Sequence, residues 1–182
     1  GMANEVFPIK SKRDYNKFIK ALKPGRDQWL AQLGTAFGLR ISDLRLLKIG
    51  QLRGQKSITL WEKKRKKKRV IPFSSSAVKI VSQLEGDDDD YVFASRKGGE
   101  PISRVQAYRI LSDAAKRAGI YDKIGGIGTH TLRKTFGYRL YQSGVPLSRI
   151  MVILNHSSER DTAKYIGITA EEISEAYESI EV

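Results

Sequence analysis

Apolar residues recur at helical spacing along most of the chain and predict a mainly α-helical architecture. The first such segment begins after a potential cap, Ser11, and stops at Pro24. A second segment covers 27–38, and a third is expected to begin at a cap formed by Ser42. Further helices are predicted after 74–76, after Ser103, and over about residues 131–143, 147–154, 158–166 and 170–179.

The spacing changes between about residues 51 and 73, where 56–61 and the pair Val70 and Ile71 alternate in the manner of β-strands. Seven consecutive cations, 63–69, lie at the turn between them. We therefore predict a mainly α fold with a small antiparallel β-sheet (α+β), in a single domain over 1–182. Residues 1–10 precede the first helix signal and are expected to form a flexible N-terminus.

Charge narrows the range of partners. The chain has 33 Lys and Arg against 20 Asp and Glu, a net charge of +13 and a pI near 9.9, which is typical of a protein that binds polyanions. Nucleic acid is the first candidate, and an acidic membrane surface is the second. No apolar run approaches the roughly 18 residues needed to span a bilayer. The absence of cysteine excludes disulfides and a thiol nucleophile, and it fits a cytoplasmic location.

Three short segments carry residues suited to phosphate chemistry. His130 and Arg133 lie three residues apart where a loop turns into a helix, so both can face one side at a helix N-terminus. Arg40, far away in the sequence, adds a second guanidinium, and two guanidinium groups can clamp the oxygens of a phosphodiester. Tyr165 follows His156 by nine residues. Taken singly, these residues are more typical of a helix cap, an ion pair or a half-buried aromatic than of a catalytic site.

Their order is more specific than their composition. GLRISDL with Arg40, a lysine-bearing hairpin, HTLR with His130 and Arg133, LNHSS with His156, and then Tyr165 follow one another along the chain. This series resembles the catalytic domain of the tyrosine recombinases, the phage-integrase family, over about residues 25–182. The resemblance implies that Tyr165 is the nucleophile and that Arg40 and Arg133 clamp the scissile phosphate. It implies that His130 and His156 assist proton transfer and contact the phosphate.

The resemblance also assigns roles to residues outside this series. The family's hairpin lysine, a general acid for the leaving 5′ hydroxyl, corresponds by spacing from Pro72 to Lys64, with Lys63 and Lys66 as alternatives. Asp43 matches an acidic position of the family motif, which implies a role in orienting the site, and a plain helix-surface carboxylate is the alternative. The cations expected to contact DNA are Lys63, Arg65, Lys66, Lys67, Lys68, Arg69 and Lys134. Two positions depart from the family pattern: Lys134 stands where histidine is frequent, and Asn155 where glycine is common.

The implied function is that of a site-specific recombinase or integrase. It would cleave and rejoin double-stranded DNA through a 3′-phosphotyrosine, without metal, ATP or other cofactor. We expect it to be a cytoplasmic, bacterial or phage-encoded protein associated with DNA. The C-terminal helix, 169–182, is expected to pack on its own domain or to dock on a neighbouring protomer. Family members usually carry an N-terminal DNA-binding clamp domain, which the 39 residues before Arg40 do not accommodate. The chain is accordingly expected to be either a minimal free-standing protein or a fragment.

Three other functions compete with this interpretation. The first is a DNA-binding regulator that does not cut, because 136–154 also fits a helix-turn-helix. The second treats 63–69 as a nuclear import signal on an unrelated domain. The third is a type IB topoisomerase, which shares the phosphotyrosine chemistry. Retention of every catalytic residue type argues against the regulator, the flanking strands argue against the import signal, and the short chain argues against the topoisomerase.

Overall fold

The computed structural model of the protein describes residues 5–62 and 66–182. Within these residues the chain forms ten helices and a two-stranded antiparallel sheet, which confirms the predicted mainly α fold. The helices are α1 (Lys12–Lys20), α2 (Arg26–Phe37), α3 (Ile41–Leu44), α4 (Ile49–Leu52), α5 (Ser75–Val81), α6 (Arg104–Arg117), α7 (Thr131–Gln142), α8 (Leu147–Leu154), α9 (Glu159–Tyr165) and α10 (Ala170–Glu178). The strands are β1 (Ser57–Glu62) and β2 (Lys67–Pro72).

The predicted serine caps begin three of the helices. The side chains of Ser11, Ser74 and Ser103 accept hydrogen bonds from backbone amides three residues further on, which satisfies donors that have no partner within the helix. The start predicted at Ser42 was wrong. Helix α3 begins at Ile41, and Arg40 occupies the N-cap position in an extended conformation. The predicted start of α2 at Asp27 was one residue late.

The sheet has one buried and one exposed face. Ile58 pairs with Ile71, and both side chains are buried in the main core. Trp61 and Val70, which point to the opposite face, are 59% and 57% exposed. Since side chains alternate along a strand, this register leaves the outer face of the hairpin with large apolar groups beside its lysines.

Helix α7 lies between two apolar clusters and packs closely on α2. At Gly38, which ends α2 with φ +67°, a Cβ atom would lie 2.3 Å from a ring carbon of Phe136. At Gly137, on α7, a Cβ atom would lie 2.7 Å from Ile166 at the end of α9. Only glycine permits these approaches without displacing a neighbour. The middle of α7 is thereby held next to the C-terminal ends of both α2 and α9.

Residues 5–10, called here the N-terminal segment, differ from the flexible terminus predicted for 1–10. Ile9 is buried, and its amide donates to Thr135 Oγ1 of α7 at 3.0 Å. The amide of Phe7 donates to the carbonyl of Ile124 at 2.9 Å. The sequence contained no sign of this packing because it depends on single apolar residues without helical or strand spacing. In the described part of the chain, no helix combines the length and hydrophobicity required to traverse a bilayer.

Candidate active site

Tyr165 ends helix α9 beside two histidine rings. Its hydroxyl lies 2.9 Å from His130 Nδ1. The ring of His156 lies with its centroid 4.7 Å from that of Tyr165 at an interplanar angle of 76°, and the ring of His130 lies at 5.8 Å and 90°. These side chains come from residues separated by up to 35 positions. The structure therefore brings together the tyrosine and both histidines that the sequence singled out.

Arg133 ties this cluster to two loops. It lies in the first turn of α7 and is only 5% exposed. Its Nη1 donates to the carbonyl of Gly38 at 2.6 Å, and its Nη2 donates to the carbonyl of Leu154 at 2.9 Å. Gly38 is two residues before Arg40, and Leu154 is two residues before His156. One buried guanidinium thus fixes the loops that carry two other candidate site residues.

Arg40 is exposed at the N-cap of α3, and its positive charge affects the pKa values of the neighbouring site residues. Together with Arg133 it counteracts the effect of burial on the pKa of Tyr165, and it lowers the pKa of both histidines. An exposed guanidinium next to a buried one leaves donors directed at solvent where a phosphate would bind.

The loop before His156 turns through Asn155, which has φ +65° and ψ +43°. Asparagine tolerates this left-handed conformation better than most residues, so Asn155 can stand where the family commonly has glycine. His156 Nδ1 then lies 3.0 Å from Thr162 Oγ1, and that hydroxyl donates to the carbonyl of Ser158 at 2.9 Å. Because the hydroxyl proton is already used, Nδ1 of His156 must carry the proton of this hydrogen bond. Its Nε2 therefore remains available for a ligand.

Thr162 was missed by the sequence analysis. It is fully buried one turn before Tyr165 on α9, and it is the residue that sets the tautomer of His156. Its spacing of four residues from Ser158 is the usual one for a threonine that bonds back within a helix, which is a common feature and gave no specific signal.

Electrostatics set the resting protonation state. Burial lowers the pKa of His130 and His156, and the neighbouring arginines lower it further. Both rings are therefore neutral at pH 7, so His130 Nδ1 can accept the phenolic hydrogen. Burial raises the pKa of Tyr165 above its ordinary value despite the opposing effect of Arg133 and Arg40. The tyrosine is thus protonated at rest.

Lys134 is half-buried rather than exposed, and its contact with DNA stays a prediction. The Nζ atom of Lys134 donates to the carbonyl of Val6 at 2.7 Å, and the same nitrogen lies 5.3 Å from the centroid of the Tyr165 ring. The residue therefore packs between the N-terminal segment and the tyrosine.

All but one of the remaining predicted residues lie in the β-hairpin segment, and the exception is Asp43 on α3. Lys63, Lys64 and Arg65 fall outside the described residues, so the identity of the hairpin lysine stays a prediction. Lys66, Lys67 and Lys68 are exposed, whereas Arg69 is partly buried and donates to the carbonyl of Ile153 at 3.3 Å. Asp43 is exposed, and its carboxylate forms no ion pair with the described residues. Its orienting role also stays a prediction.

Among residues 5–62 and 66–182, no group of three or more histidine, aspartate or glutamate side chains is arranged to hold a metal ion. The cluster around Tyr165 consists of imidazole, guanidinium, ammonium and phenol groups. Such a set binds an anion such as phosphate rather than a cation.

Comparison with known proteins gives the family. The model of the phage integrase family matches residues 11–172. The chain belongs to the phage integrase family. A probable integrase/recombinase, YoeC of Bacillus subtilis (strain 168), is 39% identical over 176 residues, which cover 94% of this chain and 95% of YoeC. The tyrosine recombinase XerA of Pyrococcus furiosus is 31% identical over 159 residues, which cover 84% of this chain.

Solved structures of the family share the fold. A crystal structure of XerA recombinase has a TM-score of 0.76 at 22% identity, over 100% of this chain and 67% of that one. A lambda integrase (residues 75–356) dimer bound to a COC′ core site has a TM-score of 0.69 at 20% identity, over 100% of this chain and 64% of that one. The chain covers nearly all of YoeC but only 51–54% of XerD of Corynebacterium glutamicum and of XerA.

Proposed function

We propose that the chain is a tyrosine-type site-specific recombinase or integrase that cleaves and rejoins double-stranded DNA. The observation that carries the proposal is the contact of the Tyr165 hydroxyl with His130 Nδ1 at 2.9 Å, next to the buried guanidinium of Arg133. A nucleophile, a neutral base and a fixed cation within one cluster are the elements required for attack on a phosphodiester. Membership of the phage integrase family supports the same reaction.

In the proposed step, Tyr165 Oη attacks the scissile phosphorus and the bond to the 5′ oxygen breaks. The phenolic proton passes to His130 Nδ1, and the leaving 5′ oxygen takes a proton from the hairpin lysine, predicted to be Lys64. The product is a 3′-phosphotyrosine and a free 5′ hydroxyl. Because the phosphodiester energy is kept in the covalent intermediate, attack by a second 5′ hydroxyl can rejoin strands without ATP.

Charge stabilisation of the phosphorane-like transition state falls to Arg40 and Arg133. His156 adds an Nε2–H donor only when its ring is protonated, because its neutral form carries the hydrogen on Nδ1. Fixed donors that face developing charge contribute about 10²–10³ each to rate, because they need no reorganisation during the reaction. The two carbonyls bound by Arg133 hold its guanidinium in place before the substrate arrives. His156 is similarly held by Thr162.

Double-stranded DNA is the proposed substrate, and the exposed Lys66, Lys67 and Lys68 of the hairpin are proposed to contact its backbone. The net charge of +13 favours such binding. We expect affinity to fall steeply with salt, since each neutralised phosphate releases counterions. With this substrate, the protein would act in the cytoplasm as a bacterial or phage-encoded, DNA-associated protein.

Self-association on DNA is proposed through α10. Ile173 and Tyr177 on this helix and Ile180 just after it are 53%, 75% and 66% exposed, which is unusual for such large apolar side chains. Its first turn is fixed to the domain, because Glu172 pairs with Lys10. We expect serine at all three apolar positions to leave sedimentation of the free protein unchanged and to reduce assembly on DNA. Unchanged assembly would contradict this role.

Cleavage can be tested without knowledge of the target sequence. The purified protein is incubated at low salt with a pool of duplexes that carry a randomised segment, and the reaction is stopped with detergent. DNA that remains linked to protein is recovered and sequenced over several rounds. We expect the wild type to enrich a defined sequence through covalent linkage and Tyr165→Phe to enrich it only through non-covalent binding.

The same experiment separates the recombinase from a regulator that only binds. A wild-type protein that selects a sequence by binding in native conditions, yet yields no detergent-resistant adduct on it, would contradict the proposed function. Relaxation of supercoiled plasmid containing the selected site, lost in Tyr165→Phe, would then establish that strands are rejoined as well as cut.

A further inference from the structure

Lys134 occupies a position that neither DNA binding nor the strand-transfer step explains. Its Nζ lies 5.3 Å from the centroid of the Tyr165 ring and donates to the carbonyl of Val6 at 2.7 Å. Burial lowers the pKa of this ammonium group and the charge of Glu5 raises it, so the group lies where its charge is only partly screened by water. A half-buried ammonium with a single fixed backbone partner has a defined position, unlike a solvent-exposed lysine.

The other groups around Tyr165 approach the ring or its hydroxyl from different sides. His130 binds the hydroxyl and stands perpendicular to the ring, and His156 contacts the ring at 76°. Arg133 and Arg40 act on the charge of the hydroxyl. Among the described residues, Lys134 alone has a charged group over the face of this ring.

A cation over an aromatic face is attracted by the electrons of the ring. As a phenol loses its proton, negative charge spreads into the ring, so this attraction grows while the reaction proceeds. An interaction that is stronger in the transition state than in the resting enzyme accelerates the chemical step. The hydrogen bond to Val6 keeps the ammonium in place during this change.

We propose that Lys134 is a positioning residue for the nucleophile: anchored by the Val6 carbonyl of the N-terminal segment, its ammonium orients the Tyr165 ring and stabilises the charge that develops on it. The proposal rests on the proposed function, since it assumes that Tyr165 attacks DNA. It acts through the ring of Tyr165 and does not touch the phosphate.

The test uses single-turnover formation of the protein–DNA adduct at saturating protein. Lys134→Gln removes the charge but keeps a donor for the Val6 carbonyl, and Lys134→Arg keeps both. Lys116→Gln is the matched control, because Lys116 lies 4.8 Å over the ring of Tyr121 outside the site. Since a partly desolvated cation–aromatic contact is involved, we expect Lys134→Gln to slow cleavage about 10-fold at pH 7, and Lys134→Arg and the control to stay within about 3-fold.

The pH profile separates this role from a merely structural one. The charged or titratable groups that face Tyr165 are His130 and Arg133 on α7, His156 before α9, Arg40 before α3, and Lys134 itself. The Lys134→Gln defect should narrow as pH rises towards 10, because phenol ionisation then needs less assistance. A defect that is constant with pH, with thermal midpoints matched to wild type, would overturn the proposal.

A second substrate excludes a role in protonating the leaving group. With sulfur at the bridging 5′ position, the leaving thiolate needs no proton, so a lost general acid is rescued while a lost nucleophile contact is not. We expect the Lys134→Gln defect to persist on this substrate, and its rescue would refute the proposal. If the wild type forms no adduct, the proposed function itself fails, whereas a wild type that cleaves beside an equally fast Lys134→Gln refutes the positioning role alone.

Discussion

The two arginines of the site should respond differently to the same conservative substitution. Arg133→Lys keeps a positive charge on a buried side chain but cannot span both the Gly38 and the Leu154 carbonyls, which the guanidinium binds at 2.6 and 2.9 Å. Arg40→Lys makes the same chemical change on an exposed side chain at a helix N-cap. One substitution therefore removes an internal crosslink, and the other changes only the surface of the site.

The structure gives the size of the difference. A hydrogen bond from a charged donor contributes about 1.5–3 kcal/mol net, and Arg133→Lys loses one of two, so we expect a loss of about 2 kcal/mol in the free energy of unfolding. For a domain of 182 residues this corresponds to a drop in Tm of about 4–8 °C. Surface substitutions usually stay within about 0.5 kcal/mol, so Arg40→Lys should change Tm by less than about 2 °C.

Both variants should nevertheless lose adduct formation by about 10²-fold or more, because lysine cannot make the bidentate phosphate contact. Thermal unfolding followed by circular dichroism and single-turnover cleavage on the selected site measure the two effects separately. Equal Tm values for the two variants would refute the idea that Arg133 ties the loops together. An active Arg40→Lys variant would refute the phosphate clamp.

Three further predictions concern the surroundings of the site. Thr162→Val removes the acceptor for His156 Nδ1 at nearly constant side-chain volume. The rate of cleavage should fall about 10-fold while the fold is retained. An unchanged rate would contradict the role of Thr162 in orienting His156. Burial lowers the pKa of His130 and His156 below the unfolded value near 6.5, so protons bind preferentially to the unfolded state. The free energy of unfolding, measured in urea, should therefore fall as pH drops below that value. Replacing both histidines by Asn should flatten this dependence on pH. Burial and the carboxylate of Glu172 raise the pKa of Tyr138 to about 12. Glu172→Gln removes this carboxylate, so a ¹³C-tyrosine NMR titration should show the pKa of Tyr138 moving down towards 10. A value still near 12 would leave burial as the cause.

The helices and the sheet could be predicted because their signals are local. Serine caps and helical spacing depend on residues within a turn of one another, so Ser11, Ser74 and Ser103 were placed correctly. The start of α3 was missed for the same reason. Ser42 resembles a cap in the sequence, but the chain at Arg40 is already extended next to Gly38, whose carbonyl is bound by Arg133 from 95 positions away.

The members of the candidate site could be predicted from the order of its motifs, but the contacts between their side chains and the rest of the chain could not. The sequence indicated that Tyr165, His130 and His156 belong together, and their rings are in contact. The direction of Lys134 was not predictable, because the residue follows Arg133 in a basic stretch and its partner, Val6, is 128 positions earlier. Contacts of this kind arise only when the chain has folded and carry no local pattern.

These long-range contacts share one physical feature. Each joins a side chain of α7 to a backbone carbonyl in another segment: Arg133 to Gly38 and Leu154, and Lys134 to Val6. A backbone carbonyl is present whatever the residue, so the partner position is free to vary in sequence while the geometry is kept. The cations on α7 are therefore the informative side of each pair. Their substitution, rather than that of their partners, should disturb the loops around Tyr165.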